Sequence, residues 1–209
     1  MIESIKRIFA APELKTRVVF TLLMLLLCRI GAHIPVPGIN GELAVQLFRQ
    51  ATGGSQNLFQ LMDMVSGGSF SQMTVIALGV MPYITASIVM QVLTAVVPTL
   101  QREIKESPDA GKRKMGRWTR FLTVTLAFVH SGLFAKYAVH MNYSTPGIIV
   151  PELAELHFLG VPFLFYLLCM FTMTAGTMLL LWIGEQITER GIGNGISLII
   201  TLGILSSIP

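Results

Sequence analysis

Five windows of apolar residues, separated by charged or glycine-rich stretches, make up most of the chain, at positions 18–34, 73–97, 121–139, 161–183 and 196–208. A helix needs about 20 largely apolar residues to cross a hydrocarbon core of roughly 30 Å. The pattern therefore predicts five helical crossings, with the two termini on opposite sides. Arg29 breaks the first window near its far end, where a long side chain can snorkel toward the interface. That window is longer than a signal-sequence core and lacks a small-residue cleavage site, so it is expected to remain in the mature protein. The second carries Pro82 in its interior, which predicts a kink. The fifth is expected to be lengthened by part of 191–195.

Between the first two windows lie a polar, glycine-rich stretch over 35–54 and a short amphipathic segment over 57–66, ending at Gly67 and Gly68. Ten residues of helix reach only about 15 Å. The segment is expected to enter the membrane part-way and return, a path tolerated only where protein or a water-filled cavity surrounds the backbone.

Composition strengthens the membrane assignment. The chain is 53% hydrophobic and 12% charged, against about 25% charged in ordinary soluble domains. The few charges are also unevenly placed. Lys6, Arg7, Lys15 and Arg17 precede the first window; Arg102, Lys105, Lys112, Arg113, Lys114, Arg117 and Arg120 lie in a predicted loop over 98–120; Arg190 follows the fourth. These twelve fall on one side of the predicted membrane, and only Arg49 and Lys136 on the other. Cytoplasmic segments carry the excess of Lys and Arg, so residues 1–17 and the basic loop are placed inside and Pro209 outside.

The basic loop has two readings: a footprint for RNA, a ribosome or an acidic motor protein, or charges that only fix topology. Trp118 alone is not the aromatic interleaving of a base-stacking surface. Enzymatic chemistry finds no constellation. Asp63 and Asp109 fall on opposite sides of the predicted membrane, which excludes an intramembrane carboxylate pair. His130 and Ser131, adjacent on a helix, point about 100° apart. Cys28 and Cys169 have no metal-like spacing and read as apolar filler. No cofactor is expected. The near absence of ionisable groups inside windows two to five disfavours a proton pump or a carrier of charged substrates.

Val80, Ile84 and Ile88 recur every four residues and so share one face of a helix in the second window. Thr85 and Gln91 lie on the far side, able to hydrogen-bond to another helix. The polar stretch 184–195 alternates Gly191, Gly193 and Gly195 but has neither a phosphate-binding lysine nor a preceding strand. A tight connector between two packed helices explains it.

Several stretches together resemble one family, the SecY subunit of the bacterial protein-conducting channel. They are Ile34-Pro-Val-Pro-Gly-Ile39, Met64-Val-Ser-Gly-Gly-Ser69, Ala77-Leu-Gly-Val-Met-Pro-Tyr-Ile-Thr-Ala-Ser-Ile88, Gly111-Lys-Arg-Lys114, Thr119-Arg120 and the whole of 184–195. Order and spacing agree from Lys15 to the end of the sequence. The resemblance implies an all-α polytopic membrane protein of the bacterial inner membrane, with five spans and a re-entrant plug half-helix over 57–68. The plug would comprise Phe59, Leu61, Met62, Met64 and Val65, hinged at Gly67 and Gly68. A pore ring maps onto Val80, Ile84 and Ile200, with Val80 smaller than the isoleucine common there and implying a slightly looser seal. Thr85, Ile88 and Gln91 are candidates for a lateral gate. Implied partners are SecE-like and SecG-like membrane subunits, a SecA motor or a ribosome, translocating polypeptides with their signal peptides, and lipid.

Members of the family carry about twice this length, as two five-helix halves forming an inverted repeat. The resemblance places this chain, at 18–209, as the first half, so the C-terminal half of the channel is a further expected partner. A fragment of a longer protein accounts for this better than a half-length relative, because the strong charge bias opposes insertion of one copy upside down. The rivals from other classes are a small-solute channel or carrier built on a broken helix, and a non-conducting assembly scaffold.

Overall fold

The computed structural model describes residues 12–52, 58–106, 108–144, 146–150, 157–158 and 161–207. Lys6, Arg7, Asn57 and the last residues of the fifth window lie outside them, as do the side chains of Phe59 and Lys105. Helix α1 is Pro12–Gly31, α2 Gly41–Thr52, α3 Leu58–Ser66, α4 Met81–Val96, α5 Pro98–Glu106, α6 Pro108–Ser144, α7 Phe163–Arg190 and α8 Gly195–Ser207. A two-residue antiparallel hairpin, β1 His157–Phe158 and β2 Val161–Pro162, precedes α7. The fold is thus mostly helical rather than wholly so.

Among the described residues, two helical stretches are long and apolar enough to cross a membrane, Ala110–Tyr143 and Phe163–Arg190; Met81–Val96 and Gly195–Ser206 are shorter apolar helices. α1, α7 and α8 follow the first, fourth and fifth windows. The second window differs. Its helix begins only at Met81, and Pro82 sits in the first turn rather than mid-helix. A proline there costs no hydrogen bond, since the first-turn amides have no intrahelical acceptor, and its fixed φ suits helix entry. No kink is needed, and residues 71–80 run as successive turns.

The predicted basic loop is also helical. Pro98 and Pro108 each open a helix, again at the position proline tolerates. Arg102 and Lys105 therefore lie on α5, and Lys112, Arg113, Lys114, Arg117 and Arg120 on the first third of α6. At 37 residues, α6 is about 55 Å long, far more than the hydrocarbon core requires. The polar stretch 184–195 is mostly helical too, because α7 continues to Arg190.

α2 falls in the polar, glycine-rich stretch between the first two windows. Asn40 caps it, its side-chain oxygen accepting from the Leu43 amide at 3.4 Å, and Ala44 and Phe48, one turn apart, are its buried face. That face joins a core with the 69–77 turns, 148–149, α6 and α7. Phe70 stands at its centre, edge-on to Phe48 at 5.8 Å and to Phe134 at 5.3 Å between centroids. The turns are held as irregular backbone inside a membrane protein must be, by protein partners: the Val36 amide donates to the Met73 carbonyl at 3.0 Å and the Val75 amide to the Ile34 carbonyl at 2.9 Å. Gly176 on α7 lets the Val75 backbone pass, since a Cβ there would collide with the Val75 carbonyl.

Candidate functional site

Behind the turns lies a second apolar cluster. Val80 is its sequence-predicted member, packed with Cys28 and Ile76 and, on α7, Leu180, Ile183 and Ile187; Ile84, Ile199 and Ile200 pack against it. The three pore-ring candidates, brought from two helices more than a hundred residues apart in sequence, therefore meet in one place. Val80 is the N-cap of α4 rather than part of its interior, and its carbonyl accepts the first helical hydrogen bond, from the Ile84 amide at 3.0 Å. Ile88, predicted on the same face, is largely exposed instead.

A cavity of about 510 Å³ adjoins this cluster, lined by Val80 and Ile200, by Met62, Val65 and Ser66 of α3, and by Ile76, Phe70, Leu133 and Phe134 among others. Its lining is overwhelmingly apolar. Its polar members are Arg29, Ser66, Thr85, His130, Tyr137 and the buried Ser69 hydroxyl, which has no partner among the described residues. Leu61 and Met64 of α3 face away and are exposed.

The end of α3 is closely determined. Gly67 and Gly68 take φ of +68° and +82°, the left-handed conformation that glycine adopts without penalty and that commonly ends helices. The Gly68 amide donates to the Asp63 carbonyl at 2.9 Å, and the Asp63 carboxylate accepts from the Ser71 amide at 2.8 Å. Gly67 lies against Gly203 of α8, where a Cβ would sit 3.1 Å from the Gly203 Cα. Small residues of this kind let membrane helices approach closely. Arg29 reaches across from α1 and donates from Nη1 to the Gly67 carbonyl at 3.2 Å. It does not simply point toward an interface, and an arginine inside an apolar window was the signal for it.

Of the lateral-gate candidates, Thr85 lines the cavity. Its hydroxyl donates to the Met81 carbonyl at 3.0 Å, and the Gln91 amide nitrogen donates to the Ser87 hydroxyl at 3.2 Å. Both polar groups are thus satisfied within α4 rather than across to another helix. Ile88 and Gln91 stand on an exposed face with Val92 and Val96.

At the other end, the connector between α7 and α8 is tied into the bundle. Asn194 caps α8, its side-chain oxygen accepting from the Ile196 and Ser197 amides at 3.1 and 3.4 Å. The Ile192 amide donates to the Thr21 hydroxyl of α1 at 3.1 Å, and Gly195 packs directly on the Gly184 carbonyl. Arg120 and Glu185 pair at 2.8 Å between α6 and α7, with the arginine side chain 54% exposed. Exposed pairs contribute little, about 0–1 kcal/mol. Arg120→Ala should therefore move the unfolding midpoint of the protein by no more than roughly 3 °C, and a larger drop in a thermal melt would mean that the pair holds the helices together.

The family whose sequence model is described as SecY matches residues 74–209. The chain belongs to the SecY family. Among relatives, a protein translocase subunit SecY of Chlamydia trachomatis is 59% identical over 206 residues, covering 99% of this chain and 45% of the relative. The SecY of Aquifex aeolicus is 46% identical over 209 residues, covering 100% and 46%, and that of Escherichia coli is 42% identical over 197 residues, covering 94% and 41%. The chain thus spans less than half the length of these SecY relatives. Two solved structures share its fold, one described as a protein conducting channel and one as Sec61 in the canine ribosome-channel complex from the endoplasmic reticulum. Each matches with a TM-score of 0.59 at 23% identity, covering 90% of this chain and 36% of the other.

Proposed function

We propose that this chain forms the first half of a protein-translocation channel of the bacterial inner membrane, with five spans, an inside N-terminus and α3 as its plug. It passes unfolded secretory chains across the membrane and releases signal and transmembrane segments laterally into lipid. It performs no bond chemistry itself. The observation that carries the reading is the convergence of Val80, Ile84 and Ile200 on one apolar cluster beside a cavity that α3 also lines. A narrow aliphatic constriction is poorly wetted and resists ions, yet its side chains can move aside for a threaded polypeptide.

The exposed α4 face with Ile88 and Gln91 supports a lateral gate against the C-terminal half of the channel. The basic first third of α6 supports docking of a SecA motor or a ribosome, with SecE-like and SecG-like subunits completing the assembly. A carrier built on a broken helix gains less support, because the backbone of the 71–80 turns is engaged by protein groups and the cavity beside it is apolar.

Photoreactive residues placed singly at Val80, Ile84 and Ile200, in the full-length channel carrying this chain, should crosslink to a stalled secretory chain. Val129, on the exposed face of α6, should not. Silence at all three positions in correctly inserted protein would overturn the pore assignment.

A further inference from the structure

We propose that Arg29 is a positioning residue that latches the plug in its closed position, through the hydrogen bond from its guanidinium to the Gly67 carbonyl. The inference rests on the reading of α3 as a plug and adds to it what holds the plug shut.

Arg29 lies in the last turn of α1, half-buried and lining the cavity. A guanidinium there needs acceptors, since a charged group near hydrocarbon without partners is costly. The acceptor it has is one of the carbonyls that a helix C-terminus leaves unpaired. The amides of Gly67 and Gly68 turn back onto Met64 and Asp63 of α3 itself, and the Gly68 carbonyl accepts from the Ser71 hydroxyl at 3.1 Å. The Gly67 carbonyl is left turned toward α1, where Arg29 meets it.

The position of that carbonyl makes the bond sensitive to plug position. Gly67 and Gly68 both hold positive φ, and nothing lies within 4 Å of where a Cβ of Gly68 would be. No packed neighbour obstructs the second glycine, while the first is pressed on Gly203. Any swing of α3 about this pair rotates the Gly67 peptide and takes its oxygen from Arg29. The contact joins α1 to the hinge backbone, whereas the Met62 and Val65 contacts are apolar and tolerate sliding. A charge-assisted, directional bond from a separate helix, added to the Asp63–Ser71 bond within the hinge segment, is what fixes the register of the closed position against α1.

The test uses the full-length channel carrying this chain, in proteoliposomes, with two readouts. One is resting ion conductance. The other is the rate at which a membrane-impermeant maleimide labels Val65→Cys in a Cys28→Ala, Cys169→Ala background. Arg29→Met, which keeps an unbranched apolar stem but removes the donor, should raise both by about tenfold. Arg29→Lys, which keeps a cationic donor, should stay within about twofold of the parent. Arg29→Gln, a neutral donor, should fall between them and serves in place of Arg29→Met if that variant fails to insert. Equal leak from the lysine and methionine variants, or leak from neither, overturns the latch.

Deletion of 59–66 separates this from the underlying reading. If the deletion leaks and Arg29→Met does not, the latch alone fails. If the deletion does not leak, the plug assignment falls with it.

Discussion

Gly176→Val should be among the most damaging single substitutions in the described part of the chain, lowering the apparent unfolding temperature of the protein by roughly 5–10 °C. Overpacking a filled site costs about 1–3 kcal/mol, more when nothing can yield. Here the obstruction is the Val75 carbonyl, with the Val75 Cγ1 at 2.8 Å from an added Cβ. Backbone cannot rotate aside as the end of a flexible side chain can. The displaced segment is also anchored, since the Val75 amide is bonded to the Ile34 carbonyl and the neighbouring Thr74 is fully buried with its hydroxyl on the Ser69 carbonyl at 3.2 Å. Gly116, which has open space around it, gives the control. Thermal unfolding in detergent that affected Gly176→Val and Gly116→Val equally would mean that the close approach is not a constraint.

The second large effect is expected at Val80, and its size should depend on the sign of the charge introduced. The residue is 6% exposed among aliphatic side chains, where an unpaired ion costs several kcal/mol. Val80 is also the N-cap of α4, with no side-chain cap of its own. Val80→Lys puts a cation at the positive end of the helix macrodipole and should raise resting ion conductance at least about tenfold, as a dewetted constriction becomes wet. Val80→Asp can accept a hydrogen bond from a first-turn amide and is partly compensated, so it should leak less than the lysine variant. Val80→Ile should tighten the seal. Conductance that is the same for the acidic and basic variants would show that the helix terminus does not govern the environment of this residue.

What the sequence revealed depended on the kind of signal. Long apolar windows with charged borders located α8 to within a residue and found α1 and α7 but not their polar ends, since α1 begins at Pro12 and α7 runs on to Arg190. Apolar length is the physical requirement for a span, whereas a helix continues past it. The second window misled because an apolar run buried on all sides reads alike as helix or as packed turns. Pro82 then carried the decisive information, at the place where a helix begins rather than bends. α2 was hidden because its buried face is a single pair one turn apart, Ala44 and Phe48, too short a repeat to stand out from a glycine-rich stretch. Pro98 and Pro108 looked like loop residues and are helix starts.

For the site, the spacing of Val80 and Ile84 was readable as one face. Ile200 was not: only resemblance to a family placed it beside them, since residues on separate helices carry no shared periodicity. The roles of Gly176 and Gly203 were likewise invisible, because a glycine inside an apolar helix does not announce which backbone will lie against it. Arg29 stood out as a charge in an apolar window, but its partner, a carbonyl on another element, has no sequence signature.

The passage of Val75 across Gly176 also bears on the order in which the protein is made. The chain emerges from its N-terminus, so the notch that accepts the 71–80 turns is synthesised about a hundred residues after the turns themselves. Until then α7 is absent, and the segment has only its contacts with 34–36, α2 and α6 to hold its path. The Val75 backbone therefore has its final seat only once Gly176 is in place, so closure of this part of the core waits on α7.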